Sequence, residues 1–344
     1  MWWCSGSSLP VVAPVIVNFM PSWWAREYGL ALGERLFLDA EYRAATVREM
    51  HRLAHDRFGD VRLGQPDPAP VYCTDDLGNA TLPAVFGCEV VFADDQYPAN
   101  HPVDPETADA QGTPDDLTAA FPMCEIISQA HRLNERHGTD VRPIWTTMGV
   151  QNAAIRTAGT DLLTDYYAAP DRARRLLDRS RDLMLASLDY FRTVGSAPDI
   201  LWDQNCTIPL VGPATYEREL LPYELELHDQ AVRRGMRFAV HHCGDFDPYA
   251  KLYRRVPQIA WIEIGWGSDL RLALDTFPEA HIQVIIGHRH VMHGAPSEVR
   301  ATMRGLLDVA GPDVARLSFN VPDLEYGTPD ENVRAVVEGL VPAT

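Results

Sequence analysis

The 344-residue chain carries 48 acidic against 30 basic side chains, a net charge of −18, with no local cluster of Lys or Arg. That balance repels phosphate backbones and anionic membrane surfaces and argues against nucleic acid as a partner. No run approaches the roughly 18–20 apolar residues of a membrane span, and six cysteines in so long a chain do not make a disulfide framework. Reduced thiols and a cytoplasmic location are therefore expected.

The apolar run 9–17 lacks a basic flank and is broken by Pro10 and Pro14, so it reads as a structured lead-in and not an export signal. Helical periodicity follows over 38–57. Short apolar runs then recur at 71–74, 90–93, 143–148, 200–203, 237–241, 261–264, 283–286 and 316–321, with helical period between them at 162–191, 213–234 and 297–309. Strands alternating with helices predict an α/β fold, a (β/α)8 TIM-type barrel with an N-terminal helical extension. The expected division is an extension over 1–69 and a barrel over 70–344, together one domain. The Pro- and Asp-rich stretch 98–116 interrupts the rhythm and reads as a surface loop or a lid.

Barrel enzymes place their chemistry at the C-terminal ends of strands, which makes the polar residues after each apolar run the candidates. Asp75, Asp76 and Asp203 are candidate proton-transfer or positioning residues, with helix capping or solvation as the plainer account. Asn205, Trp202, Trp266 and the pair His288 and His290, which share a face if the chain is extended there, are candidate substrate contacts. Core packing accounts equally well for the tryptophans. Arg156 and Arg289 could grip a substrate carboxylate, but the sequence does not separate them from exposed arginines.

The strongest local signal is Val240-His241-His242-Cys243-Gly244-Asp245 at a strand end. Alternate residues share a face, so His241 and Cys243 point one way and His242 the other. An imidazole beside a thiolate suits zinc. On the next strand Glu263 sits within an apolar run, where an uncompensated carboxylate would be costly, so a cation or hydrogen bonds must meet it.

The stretch from Asp203-Gln204-Asn205-Cys206 through Gly212-Pro213-Ala214-Thr215-Tyr216-Glu217 and Leu221-Pro222-Tyr223 to His241-His242-Cys243-Gly244 resembles the uroporphyrinogen-decarboxylase-like superfamily. So does Gly327-Thr328-Pro329-Asp330-Glu331-Asn332. The likeness covers roughly the C-terminal half by motif and the N-terminal half by rhythm alone. The Arg-rich N-terminal motif of the metal-free decarboxylases is missing, and His-x-Cys is similar to the zinc branch: corrinoid and thiol methyltransferases and the catalytic domain of cobalamin-independent methionine synthase. That resemblance implies His241, Cys243 and Glu263 as zinc ligands. It also implies a final cysteine that this chain lacks, because Leu324 stands in its place. Cys206, Glu325 or Asp323 could complete the sphere, or one position stays open for substrate. The implied activity is zinc-dependent methyl or alkyl transfer involving a small molecule. None of the twelve histidines has Asp two residues before it, so any corrinoid would arrive free or on a separate protein. A metal-independent decarboxylase or lyase, and a non-catalytic binding protein on the same fold, are the alternatives; the sequence leaves the oligomeric state open.

Overall fold

The computed structural model describes residues 5–6, 12–74, 77–110, 114, 116–143, 148–194 and 198–341. Asp75, Asp76 and Trp145, and most of the strand expected at 143–148, lie outside these residues. The strands used below are β1 (Val15–Phe19), β2 (Glu89–Val91), β3 (Ala99–His101), β4 (Ile200–Asn205), β5 (Arg237–His242), β6 (Ile259–Ile264), β7 (His281–Ile285) and β8 (Leu317–Leu324). The helices are α1 (Pro21–Tyr28), α2 (Ala40–Phe58), α3 (Met123–His137), α4 (Val150–Ala158), α5 (Pro170–Val194), α6 (Leu221–Arg233), α7 (Leu270–Thr276), α8 (His288–His293), α9 (Pro296–Ala310) and α10 (Asp330–Glu338).

β1, β8, β7, β6, β5 and β4 lie side by side in that order, and each pairing is parallel. This α/β arrangement is the arc of a TIM-type (β/α)8 barrel, with helices outside the sheet and further helices before the second half of the chain. The arc extends past β4, where the Gly149 N–H donates to the Gln204 carbonyl at 3.1 Å. A Cβ on Gly149 would sit 2.4 Å from that carbonyl oxygen, so only glycine lets the start of α4 come so close.

Local chemistry explains where the helices begin and end. α1 has Pro at its start and Gly29 in the left-handed region just after it, the usual asymmetry of helix ends. α2 begins at Asp39, whose carboxylate accepts the Tyr42 N–H at 3.0 Å. α5 buries Leu176, Leu177, Leu183, Met184, Leu188 and Phe191 along one stripe.

The structure differs from the expected strand set in three places. The run 90–93 forms a separate antiparallel hairpin, β2 with β3, and β3 lies inside the stretch read as a loop. Residues 71–74 take no regular strand conformation, although the buried Arg43 guanidinium holds the Cys73 carbonyl at 2.9 Å. The N-terminal lead-in, by contrast, is a barrel strand: Ile16 lies opposite Asn320 on β8. The segment before residue 70 therefore supplies a strand as well as helices.

Pairing registers sort the inward side chains into layers. Trp202, Ala239, Trp261 and His281 form one row, and Gln204, His241, Glu263 and Gln283 the next row toward the C-terminal ends.

Candidate metal centre

β5 delivers His241 inward, and Cys243 follows immediately beyond the strand. The His241 Nε2 lies 2.9 Å from the Cys243 Sγ. Gln204 is in register with His241, so Cys206, two residues on, emerges beside Cys243. The ligand atoms of Cys206, His241 and Cys243 all lie within 4.8 Å of one another. Gly244 turns the chain away at φ +78°, and the neighbouring loop fits because Gly265 has no side chain: a Cβ there would be 2.1 Å from the Gly244 oxygen. His242 points to the opposite face, as alternation requires. It is fully buried between Tyr253 Oη at 3.0 Å and the Asp245 carbonyl at 3.1 Å, and burial pulls its pKa down to about 4.

Glu263 meets the other ring nitrogen. One carboxylate oxygen holds His241 Nδ1, and the second accepts from Asn320 Nδ2 at 2.7 Å. The sequence reading made Glu263 a ligand; the structure places it behind the imidazole, with both oxygens used, where it fixes the ring and turns Nε2 toward the thiols. Burial disfavours a charged His241, but its bonds to Cys206 and Glu263 outweigh that and push its pKa up to about 10. Cys243 donates to Cys206, which holds the Cys206 thiol far below its ordinary range and drives Cys243 far above. Without a metal these shifts favour one proton shared by the two thiols and a second on the imidazole.

Two thiols and a pre-oriented imidazole are the donor set that a tetrahedral zinc site takes, with one position left over. Leu324, where the resembling family has its last cysteine, is fully buried in the hydrophobic core. Glu325 is exposed and its backbone carbonyl accepts from Thr328; it is not part of the cluster. Asp323 takes the left-handed conformation at φ +60°. Its side chain is exposed at the rim of the cluster.

The other expected contacts scatter. Trp202 stands in the row below the cluster, edge-on to Trp261 at 5.8 Å, and belongs to the barrel's floor. Trp266 is 41% exposed and stacks on His290 at 5.2 Å. The expected shared strand face of His288 and His290 does not form, because β7 ends at Ile285 and both lie in helix α8. His290 bonds Thr302 of α9 at 3.0 Å. Among the residues missed by the sequence reading are Asn152 and the inward carboxamides Gln204 and Gln283; for the glutamines, counting by two from Cys206 and across the register was the available signal. Two surface cavities of about 430 and 700 Å³ flank Glu41 on α2, and no residue of the cluster lines either.

Asp203 and Asn205 lie on the outward face of β4, against α6, away from the cluster. Asp203 and Glu224 are each 2% exposed. Asn205 Nδ2 donates to Glu224 Oε1 at 2.6 Å and reaches Asp203 Oδ2 at 3.3 Å. Among the described residues Asp203 Oδ1 and Glu224 Oε2 have no hydrogen-bond donor. Two bare carboxylates cannot persist there, and one proton shared between them removes the problem. Burial raises both pKa values. A raised carboxyl pKa stabilises the fold at low pH and loses that contribution as pH rises through the folded-state value. Asp203→Asn is therefore expected to raise the Tm by a few degrees at pH 8 and by less at pH 5, as calorimetry would show.

Residues 27–340 match the family "Uroporphyrinogen decarboxylase (URO-D)". No curated protein sequence matches the chain. Among solved structures, a methyltransferase from Methanosarcina mazei superposes with a TM-score of 0.64 at 14% identity, covering 97% of this chain and 93% of that one. The intracellular xylanase TsXylA from Thermoanaerobacterium saccharolyticum JW/SL-YS485 covers 64% of this chain and 75% of that one at 14% identity, with a TM-score of only 0.31.

Proposed function

Because the chain belongs to the uroporphyrinogen decarboxylase family, we propose that it transfers a methyl or other alkyl group to or from a small molecule at a zinc ion held by Cys206, His241 and Cys243. The observation that carries this reading is the convergence of two thiols and an imidazole within 4.8 Å at barrel strand ends. The methyltransferase neighbour has the fold that the reading requires. Zinc, when bound, supplies the Lewis acidity that keeps a thiol or water deprotonated near neutral pH.

The chain's own residues prepare that chemistry. Glu263 and Asn320 lock the His241 ring, and the hydrogen bond from Cys243 keeps Cys206 ionised. Three protein donors leave one position to the reacting molecule. A corrinoid carried on a separate protein is the donor or acceptor this reading implies.

Purified protein should contain close to one zinc and should methylate a small thiol from methylcobalamin, followed by mass spectrometry of the thioether. Protein that purifies without metal under non-chelating conditions contradicts the reading. The family description favours a second one, decarboxylation without metal. Carbon dioxide release from a carboxylated substrate that survives His241→Ala would support it.

A further inference from the structure

Helix α4 is packed between β4, α5 and the β2–β3 hairpin, and of its nine residues all but Arg156 are buried. Asn152 lies one turn earlier on the same face of the helix. It accepts the Thr207 N–H at 2.9 Å, donates to the Gln204 carbonyl and touches the Cys206 thiol. Helical side chains lean toward the N-terminus, so Arg156 leans toward that group. The one residue of α4 that is not buried is thus a guanidinium close enough to the cluster to feel the charge of Cys206.

Among the described residues this guanidinium has no hydrogen bond or ion pair, and the Cys206 thiol is the titratable group that acts on it. Such isolation is unusual in a chain of net charge −18. Arg57, Arg172, Arg181 and Arg234, all partly buried, each hold a carboxylate. Burial depresses the pKa of Arg156, and the charge of Cys206 offsets that only in part. Its planar fork of donors is shaped for a carboxylate or another oxyanion.

We propose that Arg156 is the anion anchor of the site: the small molecule that reacts at the Cys206, His241 and Cys243 cluster carries a carboxylate or other oxyanion, and that group docks on Arg156. The proposal rests on the reading of the cluster as the reaction site. Simple support of the Cys206 thiolate is the competing role, and it predicts no discrimination between charged and neutral ligands.

The experiment compares 3-mercaptopropionate with its neutral isostere 3-mercaptopropionamide by calorimetric titration, with metal content measured on every sample. The parent should bind the carboxylate roughly tenfold more tightly, the loss expected for one charge-assisted contact. Arg156→Met should equalise the two, and Arg156→Lys should keep part of the difference. Removing an unpaired cation should leave the Tm unchanged or higher; if the Met variant does not fold, Arg156→Gln replaces it. Propionate and propionamide titrated into metal-stripped protein separate this claim from the zinc reading, since an Arg156-dependent preference there stands whatever the metal content. No preference in the parent, or an equal weakening of both probes in the variants, overturns the proposal.

Discussion

Cys206→Ala protein is expected to purify with less than about a tenth of an equivalent of zinc where the parent carries close to one. The cluster has three donors within 4.8 Å, and Cys206 is the one already ionised in the metal-free state. Losing it removes both a ligand and the negative charge that attracts the cation. Cys243→Ala should be as severe, because it strips the donor that sustains that charge. Two controls give the result meaning. Cys88 is buried with its thiol on the Thr157 carbonyl, and Cys88→Ala should leave metal content intact. Glu325→Ala should also leave it intact, because that carboxylate lies outside the cluster. If Glu325→Ala emptied the site and Cys206→Ala did not, the oxygen alternative at the end of β8 would stand in place of the thiol. Elemental analysis of proteins purified side by side decides, and thermal melting checks that each variant folds.

Which parts of this site were legible in the sequence follows from what a linear pattern encodes. His241 and Cys243 sit two apart on one strand, and the pleat alone puts them on one face. The same parity was available for Asp203 and Cys206: three residues apart along a strand, they face opposite ways, and the structure separates them accordingly. The position of Glu263 was legible but its partner was not, since the choice between ligand and support depends on which ring nitrogen it meets. His288 and His290 have the spacing of a strand pair, but β7 stops before Gly287 and helical spacing takes over. Runs of four apolar residues also look alike in a barrel strand, a hairpin and a buried loop, which is why 90–93 and 71–74 read as barrel strands. The run 9–17 has the continuous apolar character of a buried parallel strand, but Pro10 and Pro14 within it count against a strand by pattern.

The electrostatics of the cluster predict its second large response, to pH. Near neutral pH the shifts in the metal-free site leave one proton on His241 and one on the cysteine pair, held in the hydrogen bond from Cys243 to Cys206. A metal ion needs a neutral imidazole and two thiolates, so binding must release about two protons, one from His241 and one from Cys243. The sign is fixed: both folded-state pKa values lie above neutrality, so protons compete with the metal and affinity rises with pH. The slope should be about a hundredfold per pH unit while both protons are held, falling to about tenfold per unit once pH passes the His241 value of about 10. Calorimetric titration of stripped protein with zinc, in buffers of different ionisation enthalpy, counts the protons directly. A count near zero would mean that the imidazole and the thiols are already deprotonated before the metal arrives. The hydrogen bonds of His241 to Glu263 and of Cys243 to Cys206 could not then be as the geometry places them.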